Sequence, residues 1–534
     1  MEQKPKSKPE KSPKEKIIRD AVHGYIHIDT EYFKLIDTPN FQRLKRLEQT
    51  NSRPVYPCAH HDRFVHSLGV FHLGKMAISY IEENSKEEIK NKVLWERAKK
   101  SFELACLLHD IGHSPFSHTF EYAFLEEKDN NNVSSIDNIL NGEGIHDIKI
   151  KSDGGHVDER KHFIEDFSER KGWGTPPPHE KVSAILVLTE YYDTVIGEEF
   201  QQDPFLIARM ILGLKYQKKN ERTKDEHLFY NCFIELLNSD SIDVDKLDYL
   251  TRDQWATGHI SKLIDYERIF SSMYIKKRKI EKDYVVCYHK RCINELLGLM
   301  EAQKLINVSM HSHHIVKYDE YVLKRAIEEI AKIIDEGAHV DDKKTLSQIF
   351  SLNSLFKEKM TLIDNGLKFK LITDDDIIHL LKIYIDQSSY AKEWFYRQYE
   401  LKAVWKTYSD YKYFFREFND SQRDALFNNK KTIIEQFLRD CSFDVKKYYI
   451  NDKKLTGEYN PNLSINVKIF IKEEVVNLED IRKSYDLERD NKEKEEAKRY
   501  FLLYLPKELI EDKDIRDAFI DFTKKQIEIL SSTN

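Results

Sequence analysis

The chain has 534 residues, 40% hydrophobic and 33% charged, a balance that excludes wholesale disorder and is long enough to bury a large core. The 85 Lys and Arg against 92 Asp and Glu leave a net charge of −7, which gives no general attraction to nucleic acid but still allows a local basic patch. No apolar run is long enough to cross a membrane, since even Phe205–Leu214 is broken by Arg209, and no apolar signal segment opens the chain. The six cysteines are scattered and form no C-x-x-C pair. Neither a disulfide framework nor a cysteine zinc site is therefore expected, and the setting reads as reducing and cytoplasmic.

Residues 1–16 carry six lysines, three glutamates and prolines at 5, 9 and 13. Nothing there can pack, so a flexible solvated tail is expected over 1–15. From Ile17 the pattern reads as helical. Asp37-Thr38-Pro39 is a helix start before Phe41, Leu44 and Leu47. Phe64–Ile81 continues as an amphipathic helix, and Phe102–Leu108 as a buried one ending near Gly112. Residues 127–160 are rich in Asn, Asp, Gly and Ser and read as a surface insertion with at most a short helix or hairpin. Helical periodicity returns at His179–Tyr192, Pro204–Leu214, Phe229–Leu250 and Ile293–Ile306. The aromatic and basic stretch Tyr390–Phe418 reads as a core or oligomer helix, with a single-strand-stacking surface as the less favoured alternative. Val467–Lys472 and Arg499–Leu505 read as strands, and the charge-dense run Glu488–Arg499 as a solvated helix. The expected class is mainly α, with a helical core over 16–385 and a smaller α+β lobe over 386–534 that serves regulation or oligomerisation.

Histidine is the abundant reactive residue, at 21 copies. His109 and Asp110 adjoin at the end of an apolar run, where an imidazole and a carboxylate can converge on one ion. That donor pair suits iron, manganese, zinc or nickel better than calcium. Two ligands do not hold an ion, and His66 and Asp245, both in helical contexts with apolar flanks, are candidates to complete the set. His113 and His118 follow the dyad closely. Asp245, Asp248 and Tyr249 are spaced to share one helix face. A lone His-Asp pair is usually structural; the surrounding residues shift that balance.

The words Asp37-Thr-Pro-Asn-Phe-Gln-Arg-Leu, Arg63-Phe-Val-His-Ser-Leu-Gly-Val, His109-Asp-Ile-Gly-His-Ser-Pro-Phe-Ser-His and Ile242-Asp-Val-Asp-Lys-Leu-Asp-Tyr-Leu-Thr-Arg-Asp resemble the deoxynucleoside triphosphate triphosphohydrolase branch of the HD-domain phosphohydrolases. The likeness covers about residues 16–260 well and thins beyond. With only the lysine-rich tail ahead of it, no sterile-alpha-motif domain is expected. The resemblance implies a divalent metal (Mn, Fe, Mg or Zn) on His66, His109, Asp110 and Asp245, and release of whole triphosphate from a deoxynucleoside. It implies phosphate contacts from Arg63 and Lys246, and His118 as acid for the leaving oxygen. His113, Glu121, His179 and Glu180 would be the supporting acid–base network, with Glu121 standing where the family has Asp. Tyr249, Asp253 and Gln49 would face the sugar.

Departures fall at Gln303, Asn307 and His311, where the family carries an Arg, a His and a Tyr, and at Thr50, where it carries a leucine. Lys304 or Lys317 are candidates to compensate. Lys16, Asp37, Gln42, Arg43 and Lys45 fall on positions resembling a regulatory guanine-nucleotide site, which implies a homo-oligomer, dimer or tetramer, activated by GTP or a dNTP. Helix capping by Asp37 and plain surface charge explain the same five residues equally well. The expected function is thus dNTP hydrolysis for pool control or antiviral defence. The alternatives are another HD reaction, on a phosphomonoester, cyclic nucleotide or guanosine tetraphosphate, and a nucleic-acid-binding regulatory module.

Overall fold

The computed structural model describes residues 15–121, 135–143, 149–151, 157–170, 176–258, 264–337, 345–356, 361–362, 368–452, 467–481, 498–511 and 513–532. The expected tail, most of the polar insertion and the run 488–497 lie outside them.

The fold is mainly α. Helix α1 (Pro39–Arg43) starts as its sequence dictates: Thr38 is the N-cap, accepting from the Phe41 N–H, and Pro39 occupies the first turn. Helix α2 (Arg63–Asn84) is capped by Asp62, and most of its positions are buried because helices pack on it from more than one side. Those neighbours are α3 (Lys92–Leu108), capped by Asn91, and α4 (Val244–Thr257), capped by Asp243 and closed by Gly258 at φ +68°. This three-helix contact brings the ends of α2, α3 and α4 together and positions the histidines and aspartates discussed below. Around it pack Pro178–Val187, Pro204–Leu212 and Asp225–Leu237.

Two hairpins lie within the span that the sequence reads as mostly helical. Strands β1 (Glu15–Asp20) and β2 (Gly24–Asp29) pair antiparallel, with Gly24 at φ +77° in the turn. The alternation is present but short: Ile26 and Ile28 face the core while Tyr25 and His27 face out. Strands β3 (Met273–Lys277) and β4 (Tyr284–His289) form the second hairpin. It is extended by β5 (Lys468–Ile471), parallel to β4, and β6 (Glu474–Asn477). The strand at 468–471, far along the chain, thus returns to the main helical body, and Val467, Ile469 and Leu478 join its core.

A second core gathers Tyr318 and Val322 of the long helix His314–Gly337 with residues from 401–438 and 500–527. Its sheet joins Leu401–Ala403, Leu502–Pro506 and Tyr449–Asn451. Here the aromatic stretch is not one helix. Arg397 at φ +52° ends the helix Ser389–Tyr396, the strand follows, and Thr407 caps a new helix Tyr408–Phe414. Trp405, Tyr408, Tyr411, Phe415 and Phe418 are buried in this core, so they are not a base-stacking surface. The insertion is likewise not all surface. Ile136, Ile139, Leu140 and Ile150 are buried, and Asp137 pairs with Lys181 at 2.9 Å.

Candidate metal and catalytic site

His66 leaves the first turn of α2, His109 and Asp110 follow the last residue of α3, and Asp245 sits in the first turn of α4. His66 Nε2 and His109 Nε2 are 3.3 Å apart. Asp245 Oδ1 lies 3.0 Å from the first and 3.7 Å from the second. Asp110 approaches His66 at 3.7 Å and His109 at 3.5 Å. An ion with bonds of about 2.1 Å separates neighbouring donors by about 3.0 Å at right angles and about 3.4 Å in a tetrahedron. His66, His109 and Asp110 therefore stand close enough together to share an ion, Asp245 reaches the same two rings from the other side, and two imidazoles with two carboxylates suit a divalent transition ion.

The other ring atoms are committed elsewhere. His109 Nδ1 meets the Cys106 carbonyl at 2.9 Å, and His66 Nδ1 meets Asp248 Oδ2 at 2.7 Å. Each ring is thereby oriented with Nε2 towards the shared point. Burial alone would depress His66, but hydrogen bonds with Asp245 and Asp248 and the Asp110 charge hold it up, at about 10. A site that raises its own imidazoles so far is one that draws positive charge.

Asp248 is itself held by Arg252, Nε to Oδ2 at 2.9 Å and Nη2 to Oδ1 at 3.0 Å, and Arg252 also reaches Asp20 at 2.9 Å. This buried network fits beneath α2 only because residue 69 is glycine. A Cβ there would stand 1.9 Å from Asp248 Oδ1 and 2.5 Å from Arg252 Nη2. Gly69→Ala should therefore lower stability by about 3 kcal/mol, the upper end of overpacking costs, and weaken metal uptake with it. Calorimetry and metal analysis check both; an unchanged Tm would show that the network has slack.

Arg63 is 2% exposed, and its Nη1 donates to Asp110 Oδ2 at 2.6 Å and its Nε to Ser117 Oγ at 2.8 Å. Lys246 donates to the Ser239 carbonyl at 2.6 Å and to Asp243 at 2.5 Å, with Asp245 and Glu180 in its field. Burial pushes the Glu180 carboxyl up to about 7, against His179 and an Asn238 hydrogen bond that lower it.

His118, His179 and Glu121 form one cluster. Glu121 Oε2 accepts from His118 Nδ1 at 3.0 Å and from His179 Nδ1 at 2.8 Å. His113 stacks on His179 with ring centres 3.9 Å apart, and its Nε2 lies 3.1 Å from Asp110. Gly112 permits this approach, since a Cβ would meet Ser183 N at 2.3 Å and His179 O at 2.6 Å. Phe116 and Ser117, at φ +52° and +50°, turn the loop so that His118 is 60% exposed. Left-handed backbone at such residues costs about 1–2 kcal/mol each, and Asp374 holds it in place by taking the Phe116 N–H at 2.6 Å.

At the far end, Asp253 takes His61 and His311 at 2.9 Å each, and these hold its carboxyl down at about 2 against burial. Tyr249 lies beside His311 and hydrogen-bonds Gln303. The helix Ile293–Ile306 ends in a π turn, Asn307–His311, in which His311 Nδ1 also meets Asn307 at 3.2 Å. Gln49 lies against Arg63 through its carbonyl, at 3.4 Å.

Of the five residues read as a regulatory site, four lie on the outer surface. Lys16 approaches Asp37 at 3.9 Å, and Lys45 donates to Gln42 at 2.7 Å. Arg43 faces inward. It is 4% exposed and its guanidinium donates to the carbonyls of Ile372, Ile111 and His113, so it braces the loop after Asp110 and does not reach that surface. Asp37 does not cap α1; Thr38 does.

The sequence reading missed His23, Asp20, His61 and Arg252 as part of the site. Arg252 was findable, four residues after Asp248 on a helix already singled out. His23 was not, because only the hairpin brings it to Asp248.

Residues 63–187 match the HD domain, the segment that contributes His66, His109 and Asp110. Beyond that segment the chain is similar to deoxynucleoside triphosphate triphosphohydrolases at about 25% identity over most of its length. It is 27% identical over 330 residues to the deoxynucleoside triphosphate triphosphohydrolase SAMHD1 homolog of Dictyostelium discoideum, covering 62% of this chain and 52% of that one. It is 25% identical to the SAMHD1 of Bos taurus, covering 68% and 54%, so the chain spans about half the length of these curated relatives. Among solved structures, a hypothetical protein of Aquifex aeolicus matches with a TM-score of 0.55 at 19% identity, covering 94% of this chain and 99% of that one. A phosphohydrolase of Bacteroides thetaiotaomicron matches with the same TM-score at 17% identity, covering 92% and 99%. At those identities the likeness concerns the fold alone. No helix among the described residues is long and apolar enough to cross a membrane.

Proposed function

We propose that the chain hydrolyses deoxynucleoside triphosphates to deoxynucleoside and triphosphate. The observation that carries this reading is a His/Asp set in direct contact with Arg63 and His113, with Lys246 beside Asp245 and a carboxylate-linked histidine pair stacked on His113. His66, His109, Asp110 and Asp245 would hold a divalent ion, which supplies charge neutralisation and a lowered pKa for water. Arg63 and Lys246 supply fixed positive charge for phosphate oxygens once Asp110 and Asp243 share them with substrate. His118, exposed and tied to Glu121, is placed to give a proton to the leaving 5′-oxygen, while His179 and His113 hold that proton supply in register. Tyr249 and Asp253 bound the end where a sugar would lie, and Gln49 borders Arg63. Gln303 is uncharged and His311 is engaged by Asp253; this favours keeping a shorter phosphate ester as the competing substrate class.

The surface of Lys16, Asp37, Gln42 and Lys45 supports an activating nucleotide and a nucleotide-dependent homo-oligomer, with pool control or antiphage defence as the biological use. One experiment covers these readings. A panel of dNTPs and NTPs, singly and in pairs, with Mn²⁺, Mg²⁺ or Fe²⁺, is followed by product chromatography and native mass spectrometry. Deoxynucleoside with triphosphate is expected, faster with a second nucleotide present and alongside a higher assembly state. Monophosphate with pyrophosphate would refute the reaction, and a monomer under every condition would refute the regulation.

A further inference from the structure

We infer that His23, carried on the N-terminal hairpin, is a positioning residue of the metal centre, so that docking of the hairpin sets the affinity of that centre for its ion. The inference rests on the metal reading proposed above and adds a segment that reading does not use. The His23 side chain is fully buried, as is that of Asp248, and its Nε2 contacts Asp248 Oδ1 at 2.5 Å. Its Nδ1 is buried without a hydrogen-bond partner among the described residues. Nε2 thus donates to Asp248.

Asp248 then distributes four contacts over two oxygens. Oδ1 takes His23 and Arg252 Nη2, while Oδ2 takes Arg252 Nε and His66 Nδ1 at 2.7 Å. The carboxylate is clamped in one plane, and that plane fixes the His66 ring. With His23 gone, Oδ1 keeps only the 3.0 Å Arg252 contact and the clamp is one-sided.

The hairpin delivers His23 through its turn. Asp20 Oδ1 accepts from the N–H groups of Val22 and His23, both at 2.8 Å, and Asp20 Oδ2 accepts from Arg252 at 2.9 Å. Gly24 then reverses the chain at φ +77°. Both inward connections thus converge on Asp248, one through His23 and one through Arg252. The outer face of the same two strands carries Ile17 and Tyr25, 58% and 59% exposed. One short element therefore presents a surface to solvent and its turn to the ligand shell of His66.

Linkage makes this testable in both directions: if the docked hairpin strengthens metal binding, metal must stabilise the docked hairpin by the same factor. Co²⁺ is titrated by its visible absorption into the wild-type protein, His23→Ala and His23→Gln. Amide exchange across residues 15–29 of the wild type is followed with and without Co²⁺. Expected are a Co²⁺ Kd about tenfold or more weaker in His23→Ala, partial recovery in His23→Gln, whose amide can still donate to Asp248, and slower exchange in the hairpin when Co²⁺ is bound. No Co²⁺ uptake by the wild type would overturn the metal reading and this inference with it. Normal wild-type uptake with an unchanged Kd in His23→Ala would overturn this inference alone. Equal losses in both variants, reflecting a packing role, or hairpin exchange indifferent to Co²⁺, would also overturn it, and the exchange arm stands even where a variant fails to fold.

Discussion

Replacing Asp245 with alanine should lower metal-dependent turnover by about a thousandfold or more, the equivalent of about 4 kcal/mol of transition-state stabilisation, while lowering Tm less than the matching change at Asp110. The asymmetry comes from what each carboxylate touches. Asp245 is 36% exposed and contacts His66 and His109, while its like charge beside Asp243 is unfavourable in itself. Removing it therefore strips a ligand from the ion and unburies no partner. Asp110→Ala is the contrasting variant. Asp110 is 2% exposed and neutralises Arg63, itself 2% exposed, at 2.6 Å. Without it a buried guanidinium keeps only Ser117 and the Gln49 carbonyl, and breaking such a pair costs about 3–5 kcal/mol. Both variants should thus lose activity, with the larger loss of stability in Asp110→Ala. Metal analysis, calorimetry and steady-state rates on the two proteins separate the cases; an Asp245→Ala protein that keeps its ion and its rate would end the assignment of that residue as a ligand.

The sequence made the chemistry more legible than the path of the chain around it. His66, His109, Asp110 and Asp245 were readable as candidates because two of them sit on, and two directly follow, long helices whose caps, Asp62, Asn91 and Asp243, are themselves readable. The short elements were hidden. A six-residue strand such as Glu15–Asp20 offers too few alternations to outweigh a helical neighbourhood, and only its pairing with Gly24–Asp29 identifies it. The stretch Tyr390–Phe418 has helical spacing, yet a left-handed Arg397 and a Thr407 cap divide it. Tertiary contact also reassigned single residues. Arg43 reads as a surface cation and is a buried brace, while Glu121, read as one member of an acid–base network, is the point where two histidines meet.

That meeting point supports the second large effect. Glu121→Gln should lower kcat by about 10²–10³, leave KM and metal content nearly unchanged, and move the alkaline limb of the kcat–pH profile to lower pH. Glu121 is 2% exposed, and one of its oxygens accepts from both His118 and His179. Burial would depress His179, but its hydrogen bond and charge interaction with Glu121 hold it above its ordinary value. Glutamine keeps the shape and an acceptor oxygen but loses the charge, so the imidazoles release their protons at lower pH and less proton donor remains near neutrality. The same change has a signature in stability. A histidine whose pKa is raised on folding adds stability that is fully present below its unfolded value, about 6.5, and is lost as pH rises through the higher folded value. The wild-type protein should therefore be more stable than Glu121→Gln by the widest margin below about pH 6.5, with the difference shrinking on the alkaline side. Paired pH series of kcat and of Tm measure the two effects independently. A loss confined to KM, or a kcat profile that keeps its wild-type shape, would remove Glu121 from the proton path and leave it a packing residue beneath His118.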